Sequence, residues 1–147
     1  MSTRRRSLAL LLGSFGIALV ALSGGVACGG SGTRLVTVKS GTGEGAIELE
    51  VQNLTDVPIN NFFLAKSERV SPQLDADSPE GQQVWGGDLT SAGIATGTRT
   101  RVPVSGPGRW DARALDRDGR YQHVAGLKLD AGGRYILELQ ESGWRVK

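Results

Sequence analysis

Strict alternation of apolar and polar side chains is the feature that most narrows what this chain can fold into. Residues 46–52, AIELEVQ, set Ile47, Leu49 and Val51 against Glu48, Glu50 and Gln52. Residues 134–140, RYILELQ, put Tyr135, Leu137 and Leu139 on one side in the same way. A period of two sends successive side chains to opposite faces of a strand, so both segments read as strands with one buried and one wet face. Further strand signals fall at residues 35–38, 57–65, 84–89, 98–104, 109–115, 121–129 and 144–146. After Thr33 no window of ten or more residues sustains a helical period, and the best candidate, residues 66–83, is interrupted by Pro72 and Pro79.

About eight or nine short strands separated by turn signals predict an all-β fold, a single small antiparallel β-sandwich, with a small barrel as the alternative. The 22 glycines suit this architecture, because tight connections need backbone conformations that glycine adopts without steric penalty. Asp118-Gly119 predicts a type I′ hairpin turn, and GTGEG at residues 41–45 reads as a further hairpin connection. The segment KSERVSPQLDADSPEGQQ, residues 66–83, is too long and polar for a turn and has the composition of a solvated or disordered loop. Trp110 falls in phase with Ala112 and Ala114, toward the core and opposite Asp111 and Arg113. His123 shares parity with Tyr121, Ala125, Leu127 and Leu129, which assigns it to the packed face.

Ahead of the domain stand Arg4, Arg5 and Arg6, then the apolar run SLALLLGSFGIALVAL, then small residues up to the single cysteine, Cys28. Basic, apolar and small-residue zones in that order read as a helical export signal; the apolar run is short of the roughly 20 residues that span a bilayer. Cleavage after Ala27 leaves Cys28 at the new N-terminus. Here the segment resembles a bacterial lipoprotein signal, although Gly25 stands where such signals usually carry leucine. The resemblance implies an acylated Cys28, and Gly29 after it implies transfer to the outer membrane, facing the periplasm or the cell surface. Several acyl chains hold a protein to a bilayer, where one binds only marginally. The alternative is ordinary secretion with a free thiol. The expected organisation is a signal peptide at 1–27, a lipidated cysteine and glycine-rich tether at 28–33, and the sandwich at 34–147.

The formal charge of +2 comes from the leader: Arg4–Arg6 are three of the 17 basic residues, and the remainder are outnumbered by one against the 15 acidic residues. Such a body offers no electrostatic footprint for nucleic acid. The residues for catalysis are few. His123 is the only histidine and Cys28 is assigned to lipid, so no catalytic residue is assigned and the chain reads as a non-enzyme. DADSPEG and DRDG begin like calcium loops but lack the later glycine and glutamate; Asp75 and Asp77 are the better pair, and turn formation explains both segments. GTGEG lacks the lysine of a phosphate loop, Glu48 and Glu50 line a wet strand face, and NLT at 53–55 reads as a turn. No metal or cofactor is expected. Trp85 and Trp144 form the candidate ligand surface, since sugar-binding sandwiches stack rings on exposed tryptophans.

Three short motifs carry a second resemblance: Val51, Asn53 and Thr55; Trp85, Gly86, Asp88 and Leu89; and Trp110, Asp111, Arg113, Ala114, Asp116 and Gly119. Together they resemble small secreted or lipid-anchored domains of Gram-negative, myxobacteria-like proteomes. That resemblance implies a β-sandwich and a cell-envelope home, and no reaction. The expected function is a lipid-anchored, non-catalytic binding or structural module acting through loops or a strand edge on envelope proteins or glycans. The alternatives are a carbohydrate-binding module using exposed tryptophans and, behind it, a secreted enzyme or a calcium-binding domain.

Overall fold

The alternating segments pair through their backbones and bury their apolar sides on one another. The computed structural model describes residues 32–146, so the leader and Cys28 lie outside the described residues. In chain order the strands are β1 (Thr33–Lys39), β2 (Glu48–Leu54), β3 (Asn61–Lys66), β4 (Arg99–Val102), β5 (Gly108–Leu115), β6 (Tyr121–Leu129) and β7 (Arg134–Gln140), with one helix, α1 (Pro79–Trp85), among the described residues. They form two sheets, β1-β7-β2-β4 and β3-β5-β6, packed as a small all-β sandwich.

The sandwich is antiparallel except for one pair. β2 and β7 run parallel, with Leu49 opposite Tyr135 and Val51 opposite Leu137, while β1 and β4 join antiparallel at the two edges. Because β7 separates β1 from β2, the GTGEG segment is a crossover rather than the expected hairpin. It lies over the turn before β7: the Thr42 and Gly43 N–H groups donate to the Ala131 carbonyl at 3.0 and 3.2 Å, and Gly132 N–H donates to the Gly45 carbonyl at 3.1 Å. Alternation specifies a face and leaves the choice of neighbour to the connections.

Both inner faces are apolar. Leu49, Val51, Leu137 and Leu139 from one sheet meet Phe62, Trp110 and Leu129 from the other, all buried. Phe62 lies directly opposite Ala114, so a large and a small side chain alternate across the sheet and the layer fills without overpacking. Trp110, Ala112 and Ala114 are buried together, as their spacing predicts.

Several expected strands are shortened or replaced for identifiable reasons. Residues 57–65 split: Ile59 makes an isolated bridge with Ile94, and β3 starts only at Asn61. β4 stops before Pro103, which has no N–H to continue the ladder. Residues 144–146 contribute only the bridge from Arg145 to Tyr121. The 84–89 strand is absent, since Val84 and Trp85 end α1. Its start is written in the chain: the Ser78 hydroxyl accepts the Gly81 N–H at 3.0 Å, and Pro79 and Glu80 occupy the first turn. The 66–83 segment is therefore partly helical, with a 3-10 turn at Ser67–Arg69 as well. The β5–β6 turn is not type I′ either, because Gly119 alone takes positive φ there. Its organiser is the buried Asp116, whose Oδ1 accepts the Asp118 and Arg120 N–H groups at 2.9 and 2.8 Å and whose Oδ2 accepts Arg120 Nε at 2.6 Å.

The NLT turn closes on a fully buried side chain. Asn53 Nδ2 donates to the Val57 and Ile94 carbonyls at 2.9 and 3.0 Å, and its Oδ1 accepts the Thr55 N–H and hydroxyl at 3.0 and 2.8 Å. One amide thus joins β2 to the strand-like segments on either side of it. Replacing it with alanine orphans several buried polar groups at once, so Asn53→Ala is expected to cost about 2–4 kcal/mol of stability, measured as a lowered urea midpoint with an unchanged slope.

Candidate functional site

Chemistry-bearing side chains gather on the outer face of the β3-β5-β6 sheet. Arg113 on the central strand β5 pairs in register with His123 on β6, and Leu115 with Tyr121. Facing side chains of such a pair lie within about 4.5–5.5 Å at Cβ, so the guanidine and the imidazole start from adjacent positions. The position of His123 corrects the parity reading. Between Trp110 and Ala112 the register slips, Trp110 facing Leu127 but Ala112 facing Val124, so that Ala125 and Gly126 together stand against Asp111. Gly126 takes φ +70°, a left-handed conformation that side chains other than glycine strain to adopt. The extra residue inverts the alternation: Gln122 and Val124 point inward before it, Leu127 and Leu129 after it, and His123 is left on the outer face.

Asp111 holds this bulge in place. The carboxylate is buried, and it accepts the Gly126 N–H at 3.0 Å and the Ser67 hydroxyl at 2.6 Å on Oδ1, and His123 Nε2 at 3.0 Å on Oδ2. A carboxylate oxygen accepts here, so Nε2 is the ring nitrogen that donates to it. The ring also meets the edge of Trp85, with centroids 5.5 Å apart and planes at 82°.

The excursion from residue 66 to residue 89 forms the wall and roof. Gly81 fits against the backbone of Asp75 and Ala76, an approach that a Cβ would block, so α1 is drawn down onto the turn beneath it. Asp75 Oδ1 accepts the Asp77 N–H at 3.0 Å and the Asp75 carbonyl accepts the Ser78 N–H at 3.1 Å, so this acidic stretch is organised as a turn. At the far end, Asp88 fastens the chain to the edge of β3. Its carboxylate accepts the Phe62 N–H at 2.9 Å, Asn61 Nδ2 at 3.0 Å, and the Thr90 N–H and hydroxyl at 3.0 and 3.1 Å. Between roof and sheet lies a cleft of about 890 Å³, floored by Asp111, Arg113, Tyr121 and His123 and closed on one side by Trp85. A second cavity of about 350 Å³ shares Ala76, Asp77, Trp85 and Arg113 with it.

Arg113 is the unusual member. Its side chain is only 12% exposed, its Nη2 stands 3.9 Å from the nearest Asp77 oxygen, and its guanidinium lies over the Tyr121 ring at 5.2 Å. The Nε is buried without a hydrogen-bond partner. Buried donors are almost always paired, and among the described residues this one shares its unpaired state with Trp144 Nε1.

The sequence reading placed its candidates differently. Cys28 lies outside the described residues. Trp85 does line the cleft, but it is only 7% exposed. Trp144 is half-buried, packs against the core, and is covered by the Arg120 guanidinium at 5.2 Å; it is not part of the cleft lining. Neither residue presents the exposed ring that a stacking surface requires. Asp111, Arg113 and His123 are the residues that sequence reasoning missed, and the one signal available was Gly126 inside a strand pattern.

This arrangement can orient an imidazole and present a guanidinium beside it. The Ser67 hydroxyl donates to Asp111 rather than to His123. Among the described residues no group of three or more histidine, cysteine or carboxylate side chains could hold a metal ion. Fold and site together define a small all-β sandwich with a roofed polar cleft on its three-stranded sheet. No protein-family model, curated protein or solved structure matches the chain.

Two multiply hydrogen-bonded carboxylates, Asp88 and Asp116, make the fold acid-sensitive. Burial alone would raise the carboxyl of Asp88, but its four hydrogen bonds outweigh that and hold it below 3.8. Burial likewise opposes Asp116, and the Arg120 side chain with the Arg120 and Asp118 N–H groups again wins. Groups that titrate lower when folded contribute stability that is fully present above the ordinary value and is lost as pH falls through the lowered one. Thermal midpoints recorded from pH 7 to pH 2 are therefore expected to fall below about pH 4. Asp88→Asn should start lower at neutral pH and show a shallower acid decline.

Proposed function

We propose that this chain is a lipid-anchored, non-catalytic binding module of the cell envelope, tethered through Cys28 and seating its ligand in the cleft over β3-β5-β6. The observation that carries the binding role is the cleft itself: a concave site with converging polar groups and one buried guanidinium whose donors are underused. The commitment of Ser67 to Asp111 favours binding over acyl transfer. The location rests on the leader, the cysteine and the glycine tether at the N-terminus.

Each half has its own test. Intact mass of protein extracted from membranes is expected to show a lipid-modified Cys28 at the N-terminus, with Cys28→Ala recovered in the soluble fraction; an unmodified thiol on membrane-extracted protein would remove the anchor. Amide hydrogen exchange, with and without envelope fractions, is expected to show protection in residues 67–77 and 121–126. Protection confined to the free edges of β1 or β4 would move the binding surface to a strand edge.

A further inference from the structure

Resting on the cleft as the ligand seat, we infer that its ligand is an uncharged saccharide, held by hydrogen bonds from Arg113 and to the neighbouring carboxylates rather than by stacking on an open tryptophan. Three observations converge on this class. The first is the guanidinium, which is nearly buried, makes no hydrogen bond to any described residue, and keeps its Nε without a partner. A nitrogen–oxygen separation of 3.9 Å is an ion pair and not a hydrogen bond, so the fork still has donors to give. A ligand here must bring acceptor oxygens.

The second is charge. Asp75, Asp77 and Asp111 line the same cleft as Arg113, so the lining carries more negative than positive charge when His123 is neutral. A free anion drawn to Arg113 would meet three carboxylates, and a free cation drawn to those carboxylates would meet the guanidinium. Like-charge juxtaposition of this kind excludes partners effectively. A hydroxyl both donates and accepts, and carries no charge to be repelled. A polyhydroxylated ring can therefore accept from Arg113 without meeting like-charge repulsion from the carboxylates.

The third is shape and lining. A cleft of about 890 Å³ lies within the range of roughly 300–1,000 Å³ that holds an organic ligand of several rings. Val70, Pro72 and Leu74 supply apolar surface to one side, which suits the C–H face of a sugar, while Ser67, Asp111 and His123 are already tied to one another and keep the floor rigid. Trp85, at 7% exposure, contributes a wall and not a platform.

The test is calorimetric titration of the intact protein in detergent with neutral cellotetraose, maltotetraose and N-acetylated chitotetraose, against tetragalacturonate and tetralysine as charged counterparts. Saturable binding of a neutral sugar is expected, weakened at least about tenfold by Arg113→Met. That variant removes an unpaired buried donor, so its thermal midpoint should not fall; if it fails to fold, Arg113→Lys keeps the charge and loses the fork, and the same weakening is expected. Preference for tetragalacturonate or tetralysine, or no binding of any neutral sugar, overturns the saccharide assignment. So does neutral-sugar binding that Arg113→Met leaves unchanged. In each of those cases, envelope-dependent protection of residues 67–77 and 121–126 would still uphold the cleft as the seat, whereas its absence would bring down both.

Discussion

The Asp111 carboxylate is the group on which the site depends. Three donors from three different places meet on it: a hydroxyl from the 3-10 turn after β3, a backbone N–H from the bulge in β6, and a ring nitrogen from His123. Take it away and the bulge has an orphaned N–H, the roof segment loses its first attachment to the sheet, and the imidazole loses its orientation. Asp88 does the corresponding work at the other end of the excursion, where it holds the residues after α1 on the edge of β3. The roof is thus pinned to the sheet at both ends by carboxylates accepting several bonds each, and the span between them arches over Arg113. The Asp111 carboxylate is buried, and it is tolerated there because its acceptor capacity is used several times over, which offsets its desolvation.

The strands were legible wherever one face is buried and the other wet. β6 and β7 run over the residues that alternation and turn signals assign to them, because a period-two pattern has no other low-energy solution in a half-buried element. What alternation cannot carry is the identity of a strand's neighbour, and so the parallel β2–β7 pair was not readable. Nor does it survive an inserted residue. His123 was assigned inward because parity was counted straight through Gly126, and the bulge reverses the count. α1 was readable in principle from Ser78, Pro79 and Glu80, which form an N-cap, a first-turn proline and a first-turn acid. At seven residues it is too short to display a helical period, and the capping signal was outweighed by the prolines around it. The site escaped for a different reason: Ser67, Trp85, Arg113 and His123 are far apart in the chain and become neighbours only through sheet register and the roof.

The two outer faces of the sandwich contrast in chemistry. Beyond the β1-β7-β2-β4 sheet, charges interleave across the strands: Arg34 with Glu138 at 2.9 Å, Arg101 with Glu48 at 3.4 Å, and Arg134 with both Glu48 and Glu50 at 3.6 and 3.5 Å. These arginines are about half exposed or more, so each pair contributes little to stability, and with Arg99 beside Glu50 the face is a solvated mosaic of four arginines and three glutamates. On the other sheet Asp111 is buried and Arg113 nearly so, while Arg109 and Lys128 stand exposed outside the cleft. Electrostatic interactions strengthen as water is excluded, so the same residue types interact more strongly around Asp111 than on the solvated face.

If Cys28 carries the anchor, chain length constrains how the cleft is presented. Three residues separate it from Gly32, whose carbonyl accepts the Gln140 N–H at 2.8 Å, so Gly32 would lie within roughly 14 Å of the anchored residue even with the connection fully extended. Thr33 in turn donates its hydroxyl to Gln122 at 2.9 Å, and Gln122 is flanked along β6 by Tyr121 and His123 on the cleft floor. The inward-facing Gln122 therefore ties the tethered end of the domain to the strand that floors the cleft. With an anchor at Cys28, the strand that floors the cleft would also be the one bonded to the anchored end of the domain.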